Sequence, residues 1–489
     1  MGYCFVMQIL VLIAFVATLT TAEYRIESSV GLPTAIIMLA VYWGVAMLLA
    51  RIASRCVVRG IVITGELSPA VVRRHRLFGA AASAWLIFGS CGLAMLGFGN
   101  PADLRGWPLL GNIVILLPFM VALPLVWTQE YAGWLANRRF AAQHVQATNP
   151  ANRYWSRREF VSYNARHSLL FIAVPVFLIM FGEDVLTLYV QPLLDPHQAE
   201  SITLGSASMF ALRLAWAAAV FTIAPAIIVR IWRTEAMPPG EILTRLQAMS
   251  RRMGLRYRKI LLWRTGGMIS NAGVMGLVAP LRYVMLSDAL LESMAPEQVE
   301  AIFAHEAGHI TSHHIFYSAV FAASSLATSL AAGVAIGFLS PWPEAAPYIS
   351  QAVIFIILAV LWVFGFGWIS RRFERQSDVT AAWAMAHADG CEHAFPNDRG
   401  SMAPSDQITP TGAAIFAGGL ERVAQLNGLP RNQRNWRHGS IAWRVQYILW
   451  LGSTGGSRRQ IDRTVRLIKC GLWLSLAISA GVLAVELSM

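Results

Sequence analysis

The chain has 489 residues, of which 56% are hydrophobic and 13% charged, and its net charge is +12. A soluble domain carries about 25% charged residues, so this composition, with a mean hydropathy of +0.51, excludes an ordinary soluble enzyme and points to lipid as the main solvent. Nucleic-acid binding would need basic residues interleaved with aromatics on one face; here the Arg residues follow the loops between apolar runs, and no nucleic-acid partner is expected.

Taken in order, nine runs are apolar and close to the roughly 20 residues that cross a bilayer as a helix: 4–22, 32–50, 78–99, 107–127, 168–189, 207–229, 317–339, 349–370 and 470–488. The first lacks a basic leader and offers only Thr20, Thr21 and Ala22 as a weak cleavage site, so it reads as a retained span. The loops sort by charge. Residues 51–77 carry six Arg against one acid, and 128–167 carry six against two, whereas the alternate loops hold only Arg25 and Arg105. Nine spans with the N-terminus inside place every basic loop on the cytoplasmic side. The expected location is therefore a multi-pass membrane, of bacterial inner-membrane type.

Three ionisable residues fall inside spans: Glu183, Asp184 and Arg213. They lie toward the outer ends, where pairing costs little, so a structural pair is expected rather than a transport pathway. Cys4, Cys56, Cys91, Cys391 and Cys470 are scattered without C-x-x-C spacing, which suggests neither a disulfide framework nor a thiolate cage.

After the sixth span, "RKILLWR", "NAGVMGLV" and "LRYVMLSD" are short apolar runs separated by Gly and Pro, the pattern of a small sheet. An exposed edge strand there would be able to pair with an extended peptide. Next comes "PEQVEAIFAHEAGHI", a helix opened by Pro296, with Glu297 and Glu300 at the positive end of its dipole. On it His305 and His309 are four residues apart and share a face, with Glu306 between them. That is H-E-x-x-H: two nitrogen ligands for zinc, and a carboxylate placed to take a proton from a polarised water. A helix whose histidines only meet water at a membrane surface would carry the same letters. His313 and His314, just beyond, read as interfacial residues.

A catalytic zinc needs a third protein ligand and an open position. Ser312 and Ile315 stand where a metzincin would have Gly and His, which closes that route. "WISRRFERQSDVTAAWAMA" offers the other. Glu374 and Asp378 are four apart, so they share a face. Glu374 is placed to ligate zinc while Asp378 accepts the N–H of a ligand histidine. A solvated helix pairing these acids with Arg371, Arg372 or Arg375 is the plain alternative. Topology favours the site, because the short turn between spans 317–339 and 349–370 brings the carboxylates back beside the histidines. The stretch from 388 to 412 is rich in turn formers and reads as lid-like.

These residues resemble the integral-membrane zinc endopeptidases of the HtpX and CAAX prenyl protease type, peptidase family M48. "LSDALLESMAPEQVEAIFAHEAGHI" is similar to the family's lead-in and H-E-x-x-H helix, and "SRRFERQSD" to its S-R-x-x-E-x-x-x-D segment. "SNAGVMGL" resembles a strand that lines the family's cleft, and "RHGSIAWRVQYI" its H-P-S-x-x-x-R element. The resemblance implies one zinc per chain on His305, His309 and Glu374, with Asp378 in support and Asn271 and Ala272 against substrate. It also implies that His438 and Arg444 bind substrate or stabilise the oxyanion. Gly439 stands where the family has Pro, Ser377 where it has Ala, and six spans precede residue 230 where two are typical.

The expected fold is mainly α: about nine transmembrane helices with a gluzincin-type peptidase domain and a small β-sheet on the cytoplasmic face. The expected domains are a six-span region at 1–229, a peptidase domain at 230–469 interrupted by a two-span hairpin at 317–370, and a last span at 470–489. The expected activity is zinc-dependent hydrolysis of membrane-bound or membrane-proximal proteins, with Glu306 as general base. The alternative is a non-hydrolytic sensor or transporter that keeps the fold. The sequence does not give the oligomeric state.

Overall fold

The computed structural model describes residues 2–23, 31–65, 68–98, 107–144, 154–194, 204–339, 345–386, 406–433 and 435–488. Most of the 388–412 stretch lies outside them. The chain forms two compact units, Met1–Thr234 and Glu235–Met489.

The described residues of the first unit are mainly helical: α1 Gly2–Glu23, α2 Leu32–Thr64, α3 Pro69–Met95, α4 Leu110–His144, α5 Arg157–Asn164, α6 Leu170–Val185, α7 Gln191–Leu194 and α8 Leu204–Ile231. Local chemistry sets several of the starts. Ser68 caps α3 ahead of Pro69, and Ser156 and Glu159 form a reciprocal box at the start of α5. Between helices the buried polar contacts are neutral, such as Thr18 Oγ1 to Ser90 Oγ at 2.8 Å and the Gly133 N–H donating to Ser54 Oγ at 2.7 Å. Gly133 permits the second contact, since a Cβ there would stand 3.0 Å from the Ser54 Cα. Arg213 meets Glu183 at 2.9 Å, and Asp184 accepts the Leu109 N–H at 2.7 Å. The three intramembrane charges thus have partners within the described residues.

Among the described residues, eight helices are long and apolar enough to cross a membrane, and a ninth, Met7–Ala22, is apolar but shorter. They coincide with the nine runs read from the sequence. The protein is an integral membrane protein, mainly helical, with one small mixed sheet.

The second unit contains that sheet. Strands β1 Thr234–Ala236, β2 Lys259–Trp263, β3 Ala272–Met275 and β4 Tyr283–Ser287 take the order β1-β2-β4-β3. β2 runs parallel to β4, pairing Lys259 with Tyr283, while β3 is antiparallel to β4, pairing Ala272 with Leu286. Three of the strands are the runs expected; β1, three residues long, was not foreseen. The helices are α9 Glu241–Arg252, α10 Asp288–Ser293, α11 Pro296–Thr311, α12 His314–Leu339, α13 Ala346–Val360, α14 Gly367–Ala386, α15 Pro410–Leu426, α16 Ile441–Ser453 and α17 Arg459–Ser488. A wide π turn, Leu361–Phe366, joins α13 to α14.

α11 is the core of this unit and is buried nearly all round, with Phe303, Ala304 and Ala307 fully enclosed. It packs against α14, α15 and β3. The hairpin of α12 and α13 is tight, because Gly333 and Gly337 leave room for Ile354 and Ser350. The two spans are therefore neighbours, as the short turn required.

Candidate metal centre

The glycine of "HEAGH" has a packing reason. A Cβ on Gly308 would stand 3.2 Å from the Cα of Ser377, so glycine lets α14 lie directly on α11. That contact carries the acidic face of α14 over the histidines. Nε2 of His305 and Nε2 of His309 are 3.2 Å apart, and each lies 3.6 Å from an oxygen of Glu374. Donors about 2.0–2.1 Å from a tetrahedral ion stand about 3.3–3.4 Å from one another. The triangle of side chains has that size, and its donor atoms all lie within 4.8 Å of one another. Two imidazoles and a carboxylate facing one point fit a small divalent cation.

The protonation of the two rings differs. Burial works against charge on His305, yet Asp378 and Glu374 outweigh it and push that ring up to about 9. Burial holds His309 well below its ordinary value. A cation at the triangle would take the place of the proton on His305. Glu306, on the same helix, is pushed up to about 7 by burial, with His305 pulling it down and Glu374 raising it. The ring of Phe416, on α15, stacks at 5.8 Å against His305 and closes that side.

Asp378 lies behind His305, its Oδ1 3.0 Å from Nδ1, close but not aligned as a strong hydrogen bond. Arg444, on α16, donates from Nε and Nη2 to the two oxygens of Asp378 at 2.8 and 2.6 Å. Its Nη2 is also 3.4 Å from Glu374. Arg444 is thus buried and committed to the two carboxylates, and this placement lends no support to direct contact with a reacting carbonyl. His438 sits at the open side, 32% exposed, with Nδ1 2.8 Å from Glu374 Oε1. The departure at Gly439 has a structural cause. Its φ is +75°, and its N–H donates to the Asn435 carbonyl at 2.9 Å. Proline has φ near −65° and no N–H, so the turn presenting His438 is built differently here.

Ala272 lies on β3, which among the described residues is an edge strand paired with β4. Asn271 precedes it, its backbone tied to Ser287 through N–H to Oγ and O to N–H, both at 2.9 Å. Its side-chain Oδ1 is buried and has no partner among the described residues. An orphaned acceptor beside a free strand edge is able to take a hydrogen bond from an incoming chain.

Residues 239–397 match the pattern of Peptidase family M48. The segment that carries the donor triangle is thus similar to the M48 metallopeptidases. The matched segment contains His305, Glu306, His309, Glu374 and Asp378 and ends before His438 and Arg444. Among solved structures the chain is similar to Ste24p of S. mikatae, at 14% identity over 84% of this chain and 98% of that one, with a TM-score of 0.37. No curated protein matches.

The sequence reading missed the far side of His309. His314 is not interfacial. It is 3% exposed, its ring lies flat on Phe373 at 4.3 Å, and its Nδ1 is 2.9 Å from Nδ1 of His309. The cause is a break at Ser312 and His313, where His313 takes a φ of +58° and starts a new helix that turns the next residue inward. A continuous helix would have pointed it elsewhere, and nothing in "TSHHIF" signals the break. Ser377, the departure from Ala, also faces His314, its Oγ 3.4 Å from Nδ1.

Proposed function

We propose that the chain is a zinc-dependent endopeptidase that cuts membrane-bound or membrane-proximal proteins, with His305, His309 and Glu374 holding one zinc. The observation that carries this reading is the convergence of His305 Nε2 and His309 Nε2, 3.2 Å apart, on the carboxylate of Glu374, with one oxygen 3.6 Å from the first ring and the other 3.6 Å from the second, and Glu306 beside them on α11. When bound, zinc would polarise the substrate carbonyl and lower the pKa of water from about 15.7 to about 7.

The chain's own groups supply the remaining chemistry. Deprotonated Glu306 takes the proton of the attacking water and passes it to the leaving nitrogen. Its value near 7 refers to the metal-free site, and a neighbouring dication pulls it lower. The protonated form cannot accept, so activity falls as pH drops through a value below 7. Asp378, anchored by Arg444, holds His305 with its Nε2 toward the metal. His438, at the open side, stabilises the oxyanion, a contribution of about 3–4 kcal/mol where such donors have been removed. The edge of β3, with Asn271 and Ala272, aligns the peptide as an added strand.

The same reading divides the chain by role into 1–229, 230–469 and 470–489. It places the N-terminus and the site on the cytoplasmic side, because the basic loops all fall there. The test is cleavage of an unfolded protein by the detergent-purified chain, with zinc, with a chelator and as Glu306→Gln. The variant should keep zinc and lose about 10²–10⁴ in rate. Equal activity in wild type and variant would sink the assignment.

A further inference from the structure

His309 is held from behind by a chain of hydrogen bonds that links four helices. His314 Nδ1 is 2.9 Å from His309 Nδ1, and His314 Nε2 is 2.8 Å from Gln376 Oε1. The Gln376 amide in turn donates through Nε2 to Asp462 Oδ1 at 2.6 Å. Asp462 belongs to α17, the C-terminal membrane helix, and Gln376 to α14.

With Asp462 ionised and His314 neutral, one proton arrangement satisfies every link. Asp462 is acceptor-only when ionised, so the amide must turn its NH₂ toward it and its oxygen toward His314. That oxygen requires N–H at Nε2 of His314. A neutral His314 then has a lone pair at Nδ1, and His309 must donate its own Nδ1–H to it. The proton on His309 is therefore fixed on the rear nitrogen, and its Nε2 lone pair faces His305 and Glu374. These assignments follow from the network as a whole. Ser377 Oγ, at 3.4 Å, is the other group facing His314 Nδ1 and is too distant to replace the His309 contact. Burial of His314 and Gln376, at 3% and 7% exposure, removes water as a substitute partner.

We propose that His314, Gln376 and Asp462 are positioning residues that fix the tautomer and ring orientation of His309, and so make metal affinity depend on how α17 is seated. The inference rests on the reading of His309 as a metal donor. It differs from the support of His305, which comes from a carboxylate and an arginine. A second tie anchors the same helix: Lys469 Nζ donates to the Ser312 carbonyl at 2.6 Å, at the end of α11.

The test is zinc affinity of the full-length, detergent-purified chain by chelator competition, together with the visible spectrum of the cobalt-loaded protein. His314→Phe keeps an aromatic ring on Phe373 and removes the acceptor. It should lose roughly 10–100-fold in zinc affinity, the usual cost of removing such a partner, and shift the cobalt bands. Asp462→Asn, which keeps an acceptor oxygen, should lose less. Zinc affinity within twofold of wild type and unchanged cobalt bands in His314→Phe would overturn the proposal, even if that variant melts earlier. Where His314→Phe does not fold, Gln376→Met, similar in length but without either hydrogen bond, decides by the same two readouts. A His309→Ala control separates the two levels. If it binds zinc as tightly as wild type, the donor assignment itself fails and the relay with it.

Discussion

The two units bury polar groups in opposite ways. In Met1–Thr234 the buried polar side chains among the described residues are Ser, Thr, Asn and His167, and the ion pair Arg213–Glu183 has side chains 41% and 45% exposed. In Glu235–Met489 five charged residues are buried among the described ones: Asp288, Glu300, Glu374, Asp378 and Arg444. Burying an unpaired charge costs several kcal/mol, so each needs a partner. Asp288 finds backbone N–H groups at Thr265, Gly266 and Ala289, and Glu300 finds Arg245 at 2.8 Å. The other three find one another beside the histidines. Neutral glue suffices to pack spans, whereas three of the second unit's buried charges are gathered at the candidate site.

The largest effect should come from removing the cation of that cluster. Arg444→Leu leaves Asp378 and Glu374 buried without their arginine and should cost about 3–5 kcal/mol, read by chemical unfolding in detergent. Hydrogen exchange should show the loss in α11 and α14 and leave α6 and α8 unchanged. A cost below about 1 kcal/mol would mean that water reaches the cluster and that the contrast between the units is false. Metal removal comes next. Zinc at a hundredfold excess over its Kd should stabilise the folded protein by about 2.7 kcal/mol, again confined to the second unit. Equal protection of both units would place the metal elsewhere.

Legibility of the sequence followed the same division. The spans were readable because hydropathy is an average over about 20 residues. His305, Glu306 and His309 were readable because a helix fixes the face of i and i+4. Glu374 and Asp378 required one topological step, the short turn that returns α14 to α11. His314, Gln376 and Asp462 were not readable. The first depends on a single left-handed residue, His313, and the other two meet it from helices distant in sequence. Gln376 lies only two residues from Glu374, yet it serves the other side of His309. The bond from Arg444 to Asp378 was equally hidden, since the motif names both residues without saying that they touch.

A smaller effect tests the turn under His438. Gly439→Ala places a side chain at φ +75°, a left-handed conformation that costs an ordinary residue about 1–2 kcal/mol. Activity should fall more than stability, because the turn presents His438 to Glu374 at the open side of the site. A variant as active as wild type would separate His438 from the chemistry.

The smallest effect belongs to the first unit. Arg213 and Glu183 meet at 2.9 Å, closer than several pairs in the second unit, and distance alone would rank the pair highly. Exposure reverses that ranking, because both side chains keep much of their contact with their surroundings when the bond is broken. Exposed pairs are worth about 0.2–1 kcal/mol, so Arg213→Leu should lie in that range on the assay used for Arg444→Leu. If it costs as much as Arg444→Leu, the pair sits in hydrocarbon rather than at a wet edge. It would then be an intramembrane charge pair of the kind that marks a pathway, and the first unit would have chemistry of its own.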